Sequence, residues 1–331
     1  VLIDVEGLTK GLLFWRASTH FIGGVGIILF VLLVLPEKRG VQSSVYRSEV
    51  SGLSMLSFRT KTKHITRIIV TVYFSLVIAE TLLLKILGMS FFDAVCHAFA
   101  TIATGGFSTK NLSVAAYHNV WIEMVIMFFM LVSSLHFGLL YASMTKQKPN
   151  IWTSKPTRAY VLVMFIGILL ISLQLTHEKF YGFWESLRYA SFQVISVGTT
   201  TGFATVDTPN WPIFSIMILM YFTIQCGMVG STSGGLKFDR IYLFFSSLNK
   251  QVKLTLHPHG VYAARIDSNI VDSDLELQVV IFIVLYILTF SIAALSLAAM
   301  GIDGITSFSA SIATIGNVGP GFGGVSSLGN F

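Results

Sequence analysis

Three stretches of this chain repeat one device: an apolar segment too short to cross a bilayer, opening on an acidic residue and closing on a turn rich in Thr and Gly. They run from Asp93 through AVCHAFATIATGGFST, from Glu185 through SLRYASFQVISVGTTTGFATVD, and from Asp303 through GITSFSASIATIGNVGPGFGG. About 13 to 17 residues separate each acid from the closing glycine (Gly106, Gly202, Gly319), and the turns recur about every hundred residues, as in an internal repeat. A membrane-crossing helix needs about 20 residues. Each segment therefore reads as a half-helix that stops at mid-depth and returns as extended backbone. Irregular backbone at that depth persists only where protein buries it or where it lines a water-filled path. The repeat predicts a pore.

Composition agrees with a membrane setting: 53% of residues are hydrophobic and 11% charged, with a mean hydropathy of +0.74. The placement of charge is more informative than its net value of +6. Lys38, Arg39, Arg47, Arg59, Lys61, Lys63 and Arg67 fall in one polar stretch, Lys146, Lys148, Lys155 and Arg158 in a second, and Lys237, Arg240, Lys250, Lys253 and Arg265 in a third. The intervening faces carry mainly Lys10, Lys110 and Lys179. By the positive-inside rule the three basic stretches are cytoplasmic and all three turns open toward the outside. No aromatic-laced basic domain accompanies these charges, which argues against nucleic-acid binding. Cys96 and Cys226, in apolar surroundings, read as small core residues.

On this count residues 1–36 form the closing helix of a first unit, its apolar span being Gly11 to Leu35, followed by a cytoplasmic connector, 37–64. Residues 65–142 form a complete unit: Ile65 to Met89 outward, the half-helix from Asp93, and Val120 to Tyr141 back. After a connector at 143–158, residues 159–245 form another, with Trp211 to Phe245 as its returning span. A polar connector, 246–274, leads to residues 275–331, the opening part of a last unit. The expected fold is an all-α polytopic membrane protein of repeated helix, pore-loop, helix units around a pseudo-fourfold pore. The chain reads as a piece of a protein with four such units, lacking the first filter segment and the last helix.

An alkali cation entering a narrow pore must exchange its water shell for fixed oxygens, and rings of backbone carbonyls supply them without a formal charge. Thr104, Gly105 and Gly106, then Thr200, Thr201 and Gly202, then Asn317, Val318 and Gly319 suit this role, since glycine accepts the backbone angles such a turn requires. Each half-helix aims the negative end of its dipole at the pore centre, and Asp93, Glu185 and Asp303 favour its positive end. A second feature interrupts the span from Trp211: Gly227, Gly230, Gly234 and Gly235 surround Ser231, Thr232 and Ser233. Each glycine costs a helix about 1 kcal/mol relative to Ala, so the helix should break here, either as a flexible gate at 227–236 or as a static kink. Arg16, His20, Glu80, Lys85, His97 and His136 are further intramembrane polar residues. Arg16, Lys85 and Lys179 can snorkel, and His97 and His136 read as satisfied core histidines. No HExxH, phosphate-binding loop or nucleophile elbow nominates a catalytic centre.

The blocks FIGGVGIILFVLLVLP, GMSFFDAVCHAFATIATGGFST, SVGTTTGFATVD, GSTSGGLK, LHPHGVY and IATIGNVGPG together resemble the Trk, Ktr and HKT superfamily of potassium transporters, and within it the bacterial Trk-type transmembrane subunit (TrkH) family. The resemblance implies potassium uptake across the bacterial inner membrane by a multi-pass protein. It also implies a homodimer, a TrkA-like cytosolic nucleotide-binding ring as regulator, and potassium as transported substrate with no covalent cofactor. Filter oxygens would come from Thr104, Gly105, Thr200, Thr201, Asn317 and Val318 beside the signature glycines Gly106, Gly202 and Gly319, and Gly230 to Gly235 would be the intramembrane gating loop. In the plant branch the first filter glycine position bears on sodium versus potassium, so a sodium-permeable member stays open. The rival readings are a symporter for an organic solute, with broken helices related by inversion, and a non-transporting membrane receptor.

Overall fold

The computed structural model describes residues 4–26, 62–145, 149–267 and 269–326. Helix α1 (Lys10–Phe21) runs into a π-turn (Ile22–Gly26). It is followed by α2 (Thr62–Ile86), α3 (Phe91–Ile102), α4 (Val120–Ser133) and α5 (Phe137–Met144). Then come α6 (Lys155–His177), α7 (Phe183–Gly198), α8 (Ile213–Gln225) and α9 (Phe238–Leu256). A two-residue hairpin of β1 (Arg265–Ile266) and β2 (Asn269–Ile270) leads into α10 (Ser273–Ala299) and α11 (Gly304–Gly316). The remainder of the first span to Pro36, the basic residues from Lys38 to Lys61, and Lys146 and Lys148 lie outside the described residues.

Residues Ile69–Ile86 of α2, together with α6 and α10, are long and apolar enough to cross a membrane. On α2 the buried positions Ile69, Val72, Tyr73, Val77, Glu80 and Leu84 fall at helical spacing, whereas Phe74, Ile78, Leu82 and Ile86 are exposed. A helix apolar on both faces packs protein on one side and lipid on the other.

The short helices share small interiors, and two of them, α3 and α11, have side-chain caps on their first turns, whereas α7 starts at Gly182 without one. Ser90 caps α3, its Oγ accepting from the Asp93 N–H at 3.0 Å and donating to Asp93 Oδ2 at 2.7 Å, a side-chain cap on the first turn. Asp93 and Glu185 thus sit within the first turns of α3 and α7 rather than opening them, while Asp303 is itself the cap of α11, accepting from the Thr306 N–H at 2.9 Å. The Thr306 hydroxyl first, and then its N–H, hold the Asp303 carboxyl below its ordinary range. Ala94, Ala98 and Ala100 on α3, Ser186 and Ala190 on α7, and Ser309 and Ala313 on α11 are buried, letting neighbours approach closely.

One packing rule organises the molecule. Each half-helix lies along the long helix before it: α3 on α2, α7 on α6, α11 on α10. The closing helix of each unit then packs on the half-helix of the next, α1 on α3, α4 on α7 and α8 on α11. A relation repeated in the same chain sense generates rotation about a common axis.

Two spans differ from a simple reading. The stretch from Val120 to Tyr141 is two helices, α4 and α5, bent by 103°. Here Ser134 Oγ donates to Leu131 O at 2.7 Å and His136 Nδ1 accepts from the Gly138 N–H at 2.9 Å, side-chain bonds that compete with helix continuation. The expected interruption after Trp211 falls between α8 and α9, and the two breaks hold each other: Met228 N–H donates to Ser134 O at 2.9 Å and Phe137 N–H to Gly230 O at 3.0 Å. Backbone groups orphaned by one break are thereby satisfied by the other. Beyond Phe245 the chain stays helical to Leu256 instead of becoming an irregular connector. Lys250 there pairs with Glu276 of α10 at 2.9 Å.

Candidate functional site

The three turns share one backbone design. After each half-helix a residue takes the left-handed conformation: Thr104 at φ 53, Thr200 at φ 64 and Asn317 at φ 55. The next N–H, of Gly105, Thr201 or Val318, reaches back to the carbonyl of Ala100, Ser196 or Ala313 at 2.7, 2.9 and 2.9 Å. This is the Schellman closure of a helix end. Threonine occupies a position where glycine is usual, a strain of about 1–3 kcal/mol of the kind held at functional sites. One residue further on, Gly106, Gly202 and Gly319 take φ of 72, 81 and 94.

These glycines set the turns side by side. A Cβ at Gly106 would lie 1.9 Å from Thr201 O, and one at Gly202 would lie 2.2 Å from Val318 O. The first turn abuts the second as the second abuts the third, following the rotation of the helices. Thr104, Gly105, Thr200, Asn317, Val318 and Gly319 line one cavity of about 530 Å³. Among the described residues, no N–H or O–H donates to the carbonyl oxygens of Thr104, Gly105, Thr200, Thr201, Asn317 or Val318. Their lone pairs are uncommitted, which is unusual for main-chain oxygens of buried residues such as Thr104, Thr200, Thr201 and Val318. The carboxyl ends of α3, α7 and α11 converge on the same cavity, adding the negative ends of three dipoles. No cluster of His, Cys, Asp and Glu able to hold a metal ion occurs among the described residues.

The return segments are tethered to the half-helices by buried hydroxyls. Ser196 Oγ donates to Phe203 O at 2.6 Å and Ser309 Oγ to Phe322 O at 2.7 Å. His97, fully buried, contacts Asp93 O at 2.8 Å and Ser108 Oγ at 3.0 Å, the satisfied core histidine expected. His136 departs from that expectation: its Nδ1 caps α5, but its buried Nε2 has no partner among the described residues. Sequence reasoning missed Arg188 on α7, which grips Glu123 of α4 through Nε at 2.7 Å and Nη2 at 2.6 Å. Because Glu123 is 3% exposed, Glu123→Ala should lower stability by about 2 kcal/mol, read as an earlier thermal transition in detergent; an unchanged transition would discount the pair.

The segment from Gly227 to Gly235 enters the same cavity through Thr232 and Gly234. Thr232 Oγ1 donates to Ile102 O, at the end of α3, at 2.8 Å. The Gly234 N–H donates to Thr200 Oγ1 at 2.9 Å, and a Cβ at Gly234 would lie 2.4 Å from Gly316 O. The segment therefore touches the ends of all three half-helices. Its own fold is compact: Ser231 and Ser233 hydroxyls meet at 2.7 Å, Val229 N–H is capped by Asp239 Oδ2 at 2.7 Å, and the Lys237 ammonium contacts Ser233 O and Oγ. Gly230 and Gly235 take φ of 76 and 65 against His136 and Cys226 respectively. His20 lies against Gly105 and lines the cavity, stacked on Phe107 at 3.7 Å.

Half-helices that dip to a shared cavity and turn back as extended backbone define the re-entrant pore-loop class of membrane protein. The chain belongs to the TrkH family of cation transport proteins, whose profile matches residues 1–331. It is 32% identical over 325 residues to the Trk system potassium uptake protein TrkH of Escherichia coli (strain K12), covering 97% of this chain and 67% of that protein. It is also 32% identical over 336 residues to the Trk system potassium uptake protein TrkG of the same strain, covering 99% and 68%. The crystal structure of the potassium transporter TrkH from Vibrio parahaemolyticus matches with a TM-score of 0.85 at 28% identity, over 99% of this chain and 67% of that one. The protein is thus an all-α polytopic membrane protein of a transport family, not an enzyme.

Proposed function

We propose that this chain forms most of a potassium-selective pore in the bacterial inner membrane, and that its three turns are three quadrants of the filter. The observation that carries this reading is that five residues whose main-chain oxygens meet no donor among the described residues, Thr104, Gly105, Thr200, Asn317 and Val318, line one cavity at the ends of three half-helices, while Thr201, whose oxygen lies against Gly106, stands outside that lining. Thr104, Gly105, Thr200, Thr201, Asn317 and Val318 exchange their carbonyls for the water shell of the ion, and Gly106, Gly202 and Gly319 allow the turns to stand close enough to do so. The dipoles admit a cation and repel an anion. An inward electrical gradient supplies about 2.3 kcal/mol per charge per 100 mV, which concentrates a monovalent cation without ATP hydrolysis at the pore.

The segment Gly227 to Gly235 acts in this scheme as the gate. It is held across the cavity by hydrogen bonds to the half-helix ends, and few of them must break for it to move. The units run 1–36, 65–142, 159–245 and 275–331, with cytoplasmic connectors between them. The working form is a homodimer controlled by a cytosolic nucleotide-binding ring, as the family resemblance implies. Three dips of one design, related by rotation and not by inversion, favour a channel-like path over an organic-solute symporter.

The test is growth of a potassium-uptake-deficient bacterium at low potassium with the full-length gene, together with rubidium flux in liposomes. Growth rescue and rubidium flux that potassium inhibits more strongly than sodium support the reading. Absence of flux with and without the cytosolic partner contradicts it. Equal inhibition by sodium would instead mark a sodium-permeable member.

A further inference from the structure

Helix α2 carries Glu80 in the middle of its buried stripe, and the residue is 0% exposed. Neither carboxyl oxygen accepts a hydrogen bond from an N–H or O–H among the described residues. Among the described residues, the elements packed most closely on α2 are the π-turn, α3, α4 and α5, and their sequences contain no Lys or Arg. Their titratable groups are Asp93, Cys96 and His97 on α3, Glu123 on α4 and Tyr141 on α5. Asp93 is engaged by Ser90 and Thr109, His97 by Asp93 O and Ser108, and Glu123 by Arg188. Helix α1 reaches α2 where Phe21 meets Tyr73, but its Arg16 lies over Phe107 at 4.0 Å and its His20 is stacked on the same ring. No cation on these neighbours answers Glu80.

On α3, which packs along α2, the Thr101 side chain is a polar neighbour of the carboxyl. The Thr101 hydroxyl already donates its proton to His97 O at 2.8 Å, so it has lone pairs to offer and no hydrogen. A carboxylate in this position would meet no donor, whereas a carboxylic acid would meet an acceptor. An ionised and unpaired carboxylate at membrane depth is strongly disfavoured by lost solvation, a cost the acid form avoids. Thr101 is also the residue whose carbonyl closes the first turn, accepting from the Thr104 N–H at 2.9 Å, with Ser133 Oγ on the same oxygen at 3.4 Å.

We propose that Glu80 carries its proton and donates it as a hydrogen bond to Thr101, acting as a positioning residue that braces the first filter turn from behind. This rests on reading Thr104 to Gly106 as part of the filter. Glu80→Gln keeps a donor of the same shape, so in the full-length protein it preserves potassium-over-sodium preference within about twofold. Uptake by both wild type and Glu80→Gln stays level from about pH 6 to 8, because neither exchanges a charge there. Glu80→Leu fills the space without a donor and lowers the preference about fivefold, the equivalent of one hydrogen bond.

An infrared comparison of the purified full-length protein supplies a readout independent of transport. The wild type shows a protonated-carboxyl stretch that disappears in Glu80→Gln. If that band is unchanged, or if Glu80→Gln loses selectivity as fully as Glu80→Leu, the proposal is wrong. A wild type that carries no rubidium would refute the filter reading instead, and the infrared band would still decide the state of Glu80.

Discussion

Gly202→Val in the full-length protein is expected to abolish potassium-over-sodium preference, with rubidium uptake falling by at least about tenfold. Two effects act together. The backbone at φ 81 is one that side-chain-bearing residues rarely adopt, a strain of about 1–3 kcal/mol. The added Cβ would also lie 2.2 Å from Val318 O and 2.8 Å from Pro320 Cδ. Val318 O is one of the oxygens assigned to the ion, so relieving the overlap moves a ligand of the neighbouring turn. Gly106 has the same relation to Thr201 O at 1.9 Å, and Gly106→Val should behave alike. Gly301 is the control: its φ is 89, but nothing lies within 4 Å of a Cβ there. Gly301→Ala should cost stability without changing ion preference. Survival of both rubidium uptake and potassium preference in Gly202→Val would show that these turns do not coordinate the ion.

Thr232→Val tests the gate by the opposite sign of effect. The substitution removes the 2.8 Å bond from Thr232 to Ile102 O and keeps the side-chain volume. One hydrogen bond of about 1 kcal/mol converts to a roughly fivefold shift toward the released segment. Basal flux in liposomes without the cytosolic partner should rise by about that factor, with ion preference unchanged. A static kink would give no increase, and a drop in flux would mean that the segment supports conduction instead of obstructing it.

Much of this arrangement is written in short-range sequence. The half-helices are legible because their length is insufficient for a bilayer and because Thr104, Thr200 and Asn317 stand in matching positions before glycines. The break after Gln225 follows from four glycines within nine residues. What the sequence conceals is long-range. The bend after Ser133 carries neither Gly nor Pro, and it exists because Ser134 O and Phe137 N–H have partners in the other break, on Met228 and Gly230. The grip of Arg188 on Glu123 joins residues 65 positions apart. Glu80 is visible as an acid in an apolar span, but its isolation is a property of the helices around it. The helical run to Leu256 was obscured because Lys250 and Lys253 make it look like a polar connector, although no Gly or Pro interrupts it.

The central claim is that main-chain oxygens of consecutive turns replace the hydration of a passing ion. Anomalous scattering from rubidium bound to crystals of the full-length protein tests it most directly. The account predicts a peak on the axis shared by the three turns, within coordination distance of the carbonyls of Thr104, Thr200 and Asn317. A protein that transports rubidium yet places its bound ion away from those carbonyls would contradict it.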